Sequence, residues 1–210
     1  MKKLLLSSLF LFASLVILAQ SFEGKIIYDV AYESKHPQMT GEQWGTMLGT
    51  QQDYYIKGNN YKSIMNGQMI SWQLYNPTEN RLYSKMTSPD VAYWTDARSN
   101  LDSVLSFTIN EDAAVILGYS CDELILNVQS GKQSYFFAKK LVVDPADYPE
   151  HHFGNWTTFI SHAKSLALKI VIDTDYFVST NTAIEVSAEP IPDAFFVMDE
   201  GVEVKESPGE

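Results

Sequence analysis

Apolar and polar residues alternate with period two along much of this chain, and turn-forming pairs interrupt the alternation at short intervals. No other feature restricts the fold as much. The stretch Phe22-Glu23-Gly24-Lys25-Ile26-Ile27-Tyr28-Asp29-Val30-Ala31-Tyr32 alternates. So do Leu124, Leu126 and Val128 with Ile125, Asn127 and Gln129, and Tyr176, Val178, Thr180, Thr182, Ile184 and Val186 with mostly small or polar neighbours. Residues two apart share one face of a strand, so this pattern makes sheet strands with one wetter face. The breaks are Gly58-Asn59-Asn60, Asn66-Gly67, Asn76 to Asn80, Ser130-Gly131 and Asp173-Thr174-Asp175. They are too short for a parallel crossover, so the strands run antiparallel, largely as a meander. Asn66-Gly67 is the strongest hairpin signal, because both positions tolerate the positive φ of a type I′ turn.

The pattern predicts strands near 22–33, 51–57, 60–65, 69–75, 80–86, 91–95, 115–128, 133–140, 166–173, 175–188 and 194–199. Three gaps read as helical. Thr40 with Gln43 forms a capping-box pattern ahead of Trp44, Met47 and Leu48. Ser99 can cap a turn presenting Leu101, Val104 and Leu105. From Trp156 to Lys164, Trp156, Phe159, Ile160 and Ala163 fall on one face. The expected fold class is mainly β (α+β): a long curled antiparallel sheet, a half-barrel, with short amphipathic helices covering one face. Residues 20–199 form one domain, and the acidic segment 200–210 lacks periodicity and is expected to be a flexible tail.

Residues 1–19 read as a signal peptide. Lys2 and Lys3 supply the charged start, Leu4 to Leu18 the apolar run and Ala19 the small residue before cleavage. The run holds Ser7, Ser8 and Ser14 and is short beside the ~20 residues of a spanning helix. The expected location is therefore the periplasm or another exported compartment. No cysteine stands at the cleavage point to carry a lipid, so a soluble product without a stable membrane anchor is expected. The lone Cys121 cannot form an internal disulfide, and without a nearby cation or His it reads as a buried small hydrophobe. The net charge of -11 becomes -13 without Lys2 and Lys3, which disfavours nucleic acid as a partner. The 12 Tyr and 11 Phe are residues that sheets use readily.

With the strand Phe22-Glu23-Gly24-Lys25-Ile26-Ile27-Tyr28, the segment Ile116-Leu117-Gly118-Tyr119-Ser120-Cys121 and the late strand Thr182-Ala183-Ile184-Glu185-Val186, the chain resembles an exported, uncharacterised family of Gram-negative bacteria. The fold of that family is similar to the LolA-like periplasmic lipoprotein carriers. The resemblance covers Phe22 to about Val197 in element order. It implies an incomplete antiparallel barrel closed by short helices, with space for the acyl chains of a lipoprotein or glycolipid.

Three constellations are candidates for chemistry. Asp144-Pro145-Ala146-Asp147-Tyr148-Pro149-Glu150-His151-His152 offers oxygen and imidazole ligands, but adjacent histidines in a proline-rich loop point apart, so a solvated loop is expected rather than a metal site. Ser161, His162 and Asp144 compose a hydrolase on paper only, since Ser161 and His162 face different directions on a helix and no nucleophile elbow is present. The third set is apolar: Trp44, Met47 and Leu48, then Trp72 and Trp94, then Trp156, Phe159 and Ile160. These side chains either line a cavity or fill an ordinary core. The expected function is therefore non-catalytic: a carrier holding an acyl chain, lipid or lipoprotein between curled sheet and helices, with no cofactor. The alternative is a structural or interaction module of the cell envelope, possibly carbohydrate-associated.

Overall fold

A computed structural model describes residues 21–208, so the leader read from residues 1–19 lies outside the described residues. Six strands occupy the first half: β1 (Gly24–Ser34), β2 (Gln51–Lys57), β3 (Asn60–Met65), β4 (Ile70–Asn76), β5 (Arg81–Met86) and β6 (Val91–Asp96). The second half adds β7 (Val104–Ile116), β8 (Tyr119–Val128), β9 (Gly131–Val142), β10 (Ser165–Asp173), β11 (Phe177–Ser187) and β12 (Glu203–Glu206). All twelve join one curled open sheet in the order β12-β6-β5-β4-β3-β2-β1-β11-β10-β9-β8-β7. The two meanders are zipped together where β1 pairs with β11, and every pairing is antiparallel except β12 on β6.

Helix α1 (Gly41–Leu48) forms where the capping box predicts it. Gln43 N donates to Thr40 Oγ1 and Thr40 N to Gln43 Oε1, and the helix stops at Gly49, whose φ of 108° suits glycine. Helix α2 (Trp156–Ala163) starts after Asn155, held in the left-handed region at φ 63°. The Asn155 side chain fixes that conformation, accepting from Asn100 Nδ2 at 2.8 Å and donating to Gln133 Oε1 at 3.3 Å.

The sheet curls around α2. Phe159 stacks on Tyr135 of β9 with ring centroids 4.4 Å apart, while Trp156 meets Tyr54 of β2 and Tyr61 of β3 from the other side. One buried cluster accordingly joins Ile26, Tyr28 and Ile56 with Leu124, Leu126 and Phe137. On the convex side, residues 188–202 form a strap. Ile191 N donates to Glu23 Oε1, Lys57 Nζ donates to Ile191 O, and Phe195 lies 4.5 Å from Tyr55 before the chain reaches β12.

Five expectations change, the first being that 115–128 is not one strand: Leu117 and Gly118, both at positive φ, turn the chain between β7 and β8. The turn expected after Ser99 is not a helix: Val104–Ile116 is a strand, because its β-branched and aromatic run finds β8 to pair with. Residues 194–199 are not a strand, since Asp193–Phe196 make a 3-10 turn within the strap. Residues 203–206, expected to be flexible, pair with Val91–Trp94 as β12. Asn66 and Gly67 do not take the positive φ of a type I′ turn. Gly67 instead packs beneath Leu48, where a Cβ would come within 2.4 Å of backbone, and Asn66 Oδ1 accepts from Thr50 N and Gln51 N.

The two sheet edges are unlike. β12 is four residues long and charged, whereas β7 is thirteen residues long and exposes Leu105, Phe107 and Val115.

Candidate ligand-binding site

Strand parity divides the concave face into an aromatic half and a polar half. Tyr54, Tyr61, Tyr75 and Leu82 share this face with Gln52, Ser63, Gln73 and Ser84, each two residues away on the same strand. The aromatic half lies under α2 and the loop before it. His151, only 1% exposed, sits 4.3 Å from the Tyr75 ring and 5.7 Å from Tyr61, whose hydroxyl is 2.7 Å from His151 Nε2. Burial pushes the His151 imidazole down to about 4, with its own carbonyl pulling the other way, so the ring is neutral at neutral pH. Burial likewise raises Tyr54, Tyr61 and Tyr148 above the usual phenol value.

The polar half is a hydrogen-bonded row. Asn181 Nδ2 donates to Gln52 Oε1 at 2.9 Å, Gln52 Nε2 to Ser63 Oγ at 2.6 Å and Gln73 Nε2 to Ser84 Oγ at 3.0 Å. Ser63 stands directly opposite Gln73 in the β3–β4 pairing, so the row runs on from strand to strand. Gln73 Oε1 and the hydroxyl hydrogens of Ser63 and Ser84 are not used within it.

A cleft of about 510 Å³ opens where this row meets the sheet end, lined by Ile70, Gln73, Ser84, Trp94, Leu101 and Phe153 among others. The volume lies within the range of about 300–1,000 Å³ common for small-molecule sites. Its walls are mixed: Ile70, Leu101 and Phe153 are apolar, and Gln73 and Ser84 carry amide and hydroxyl groups. Asp96 also lines it, and the Arg98 guanidinium bonded to its carboxylate holds it down to about 2, so it stays charged. A second cleft, of about 490 Å³, lies between α1 and the sheet and is lined by Tyr32, Gly45, Thr50 and Asn66.

The eight apolar candidates go to four places. Trp156, Phe159 and Ile160 come together beneath the rim of the sheet, with Phe159 and Ile160 fully buried. Trp44, Met47 and Leu48 stay on α1, where Trp44 packs 4.8 Å from Phe177 and donates to Ser34 Oγ. Trp72 lies on the convex face under Lys62, whose Nζ is 5.2 Å from its ring. Trp94 carries the Arg81 guanidinium 3.8 Å from its ring and is the one candidate lining the 510 Å³ cleft.

Ser161 and His162 have separate engagements and form no catalytic pair. Ser161 Oγ donates to Thr157 O, and the His162 ring lies tilted against Phe107, 4.1 Å between centroids. The 144–152 loop is only partly solvated, because His151 turns into the core while His152 stays exposed. Among the described residues no group of three or more His, Cys, Asp or Glu is placed to hold a metal ion. Cys121 is fully buried, and burial raises its thiol. Sequence reasoning missed Gln52, Ser63, Gln73, Ser84, Leu101 and Phe153. The readable signal was parity: four small or amide residues occupy strand positions in phase with tyrosines and a leucine of the core.

No family model matches the chain, and no curated protein sequence matches it. Among solved structures, PNGF-II aligns over 88% of this chain and 32% of its own, at 10% identity and a TM-score of 0.48. This chain thus spans about a third of the length of PNGF-II. LprF from Mycobacterium bovis aligns over 81% of this chain and 88% of its own, at 11% identity and a TM-score of 0.34. Both likenesses are too distant to inform the ligand, which has to be read from the cleft itself.

Proposed function

We propose that the protein is an exported, non-catalytic binding protein for an amphipathic ligand, seated in the 510 Å³ cleft with its apolar part on Ile70, Leu101 and Phe153 and its polar part on Gln73 and Ser84. The mixed wall of that cleft carries the reading. Leu101 is 67% exposed at the cleft, so an apolar guest removes existing apolar surface from water, at about 0.8 kcal/mol for each methylene buried. The space beneath α2 is occupied by Tyr148, Phe159, Ile160 and His151, all at most 1% exposed, which favours a guest beside α2 over one under it.

The test is uptake of amphiphiles by the chain lacking residues 1–19, followed by native mass spectrometry and by displacement of a fluorescent fatty acid. A lysophospholipid should compete, and Leu101→Asp should weaken binding about tenfold or more, since it puts a charge on the apolar wall. Absence of uptake, or unchanged binding by Leu101→Asp, overturns the proposal.

The Asn181–Gln52–Ser63 row favours a second reading, an envelope module for saccharides. Amide and hydroxyl side chains in a row match sugar hydroxyls as donors and acceptors. Binding of a soluble oligosaccharide that Gln52→Ala abolishes and Leu101→Asp leaves intact would select this reading.

A further inference from the structure

Three buried side-chain polar atoms lack a hydrogen-bond partner among the described residues: Tyr54 Oη, His151 Nδ1 and Trp156 Nε1. All three belong to one ring cluster. Trp156 lies 6.4 Å from Tyr54 and 6.1 Å from His151 between ring centroids, and Tyr61 contacts all three rings. An unpaired buried polar group costs about 1–3 kcal/mol, so three on adjoining rings of one cluster call for partners.

The donors define one that serves all three. Trp156 Nε1 can only donate. If the Tyr61 hydroxyl donates to His151 Nε2, the neutral imidazole carries its hydrogen on Nδ1, a second donor. The His151 carbonyl gives Nδ1 little help, because it already accepts from Thr157 N at 2.9 Å and from Thr157 Oγ1. An oxygen that accepts from both nitrogens and passes its own hydrogen to Tyr54 Oη completes all three groups. Charge excludes an anion. The side chains around the three groups are Tyr61, Tyr148 and the rings themselves, none of them a cation, so a buried anion would have no counter-ion there.

We infer that Tyr54, His151 and Trp156 bind one small neutral hydroxyl-bearing molecule, water being the smallest. It fastens β2, the 144–155 loop and α2 to one another. The site is separate from the 510 Å³ cleft, and neither depends on the other.

Nuclear magnetic resonance of the full chain, with tryptophan labelled on the indole nitrogen, tests this. The Trp156 Nε1 proton should show a cross-relaxation peak at the resonance of water or of an alcohol hydroxyl, distinct from the protein's tyrosine hydroxyl protons and held far longer than bulk water, and Tyr54→Phe should weaken it at least twofold. Trp44, whose Nε1 donates to Ser34 Oγ, is the internal reference: any peak it shows comes from that serine hydroxyl and should be unchanged by Tyr54→Phe. If native mass spectrometry also retains a constant added mass that Tyr54→Phe loses, the guest is an alcohol larger than water. A peak without added mass identifies water. A Trp156 indole with no long-lived partner, or one unaffected by Tyr54→Phe with the other indole shifts unchanged, overturns the inference. Should Tyr54→Phe fail to fold, the wild-type peak alone decides.

Discussion

The two halves of the concave face occupy the same strands, two residues apart, yet they are built on opposite terms. Beneath α2, Tyr54, Tyr61, Tyr75 and Phe159 interlock with a neutral His151, and the gain comes from burial. Across Gln52, Ser63, Gln73 and Ser84, side chains bond one another sideways, and all but the buried Ser63 remain half-exposed to solvent. A sheet can thus place its stability and its ligand chemistry on one face without mixing them, provided parity keeps each row in phase. Stability should respond to the first row and binding to the second.

The hardest test of this separation is Phe159→Ala, which should cost about 3–5 kcal/mol by denaturant unfolding, as deletion of a buried aromatic side chain does. A loss below ~1 kcal/mol would mean that the aromatic half is loosely packed. Next comes acid. The folded-state pKa of His151, about 4, lies below its ordinary 6.5, so the unfolded chain takes up the proton first. The stabilisation is complete above pH 6.5 and is lost as pH falls toward 4, amounting to about 3 kcal/mol at the limit. His151→Phe should flatten this part of the stability-against-pH curve, while Gln73→Ala should leave it unchanged.

The polar row should behave in reverse. Gln73→Ala is expected to weaken the ligand of the cleft about tenfold, or ~1.4 kcal/mol, and to change folding stability by less than that, because its bond to Ser84 is a partly solvated one. Equal losses of binding and stability would erase the distinction between the halves. Smallest of all should be Leu105→Lys on β7, within ~0.5 kcal/mol in stability, because this side chain is 72% exposed and belongs to neither half.

Much of the sheet was legible in the sequence because alternation and short turns are local. β1, β2, β3, β5, β9 and β10 lie close to where their residues predict them, and the Thr40–Gln43 capping box marks the start of α1. What escaped depends on distant partners. Val104 to Ile109 has apolar spacing that suits a helix as well as a strand, and only β8 decides. β12 carries no periodic signal and is a strand because β6 has an edge to offer. The candidate site was less readable for the same reason. A tryptophan stands out in any sequence, whereas Gln73 and Ser84 become a site only when pairing aligns them and Leu101 and Phe153 join the lining of the same cleft.

The strap that carries the chain back across the convex face also sets an order of events. Glu203 pairs with Val91, a residue made more than a hundred positions earlier. A growing chain therefore completes β1 to β6 and their hairpins while the outer side of β6 has no strand to bond. Until β12 is synthesised, that edge is the six-residue, largely apolar and aromatic β6 in place of the four-residue charged β12, and in that interval the nascent protein depends most on holdase chaperones or slow translation to avoid its neighbours.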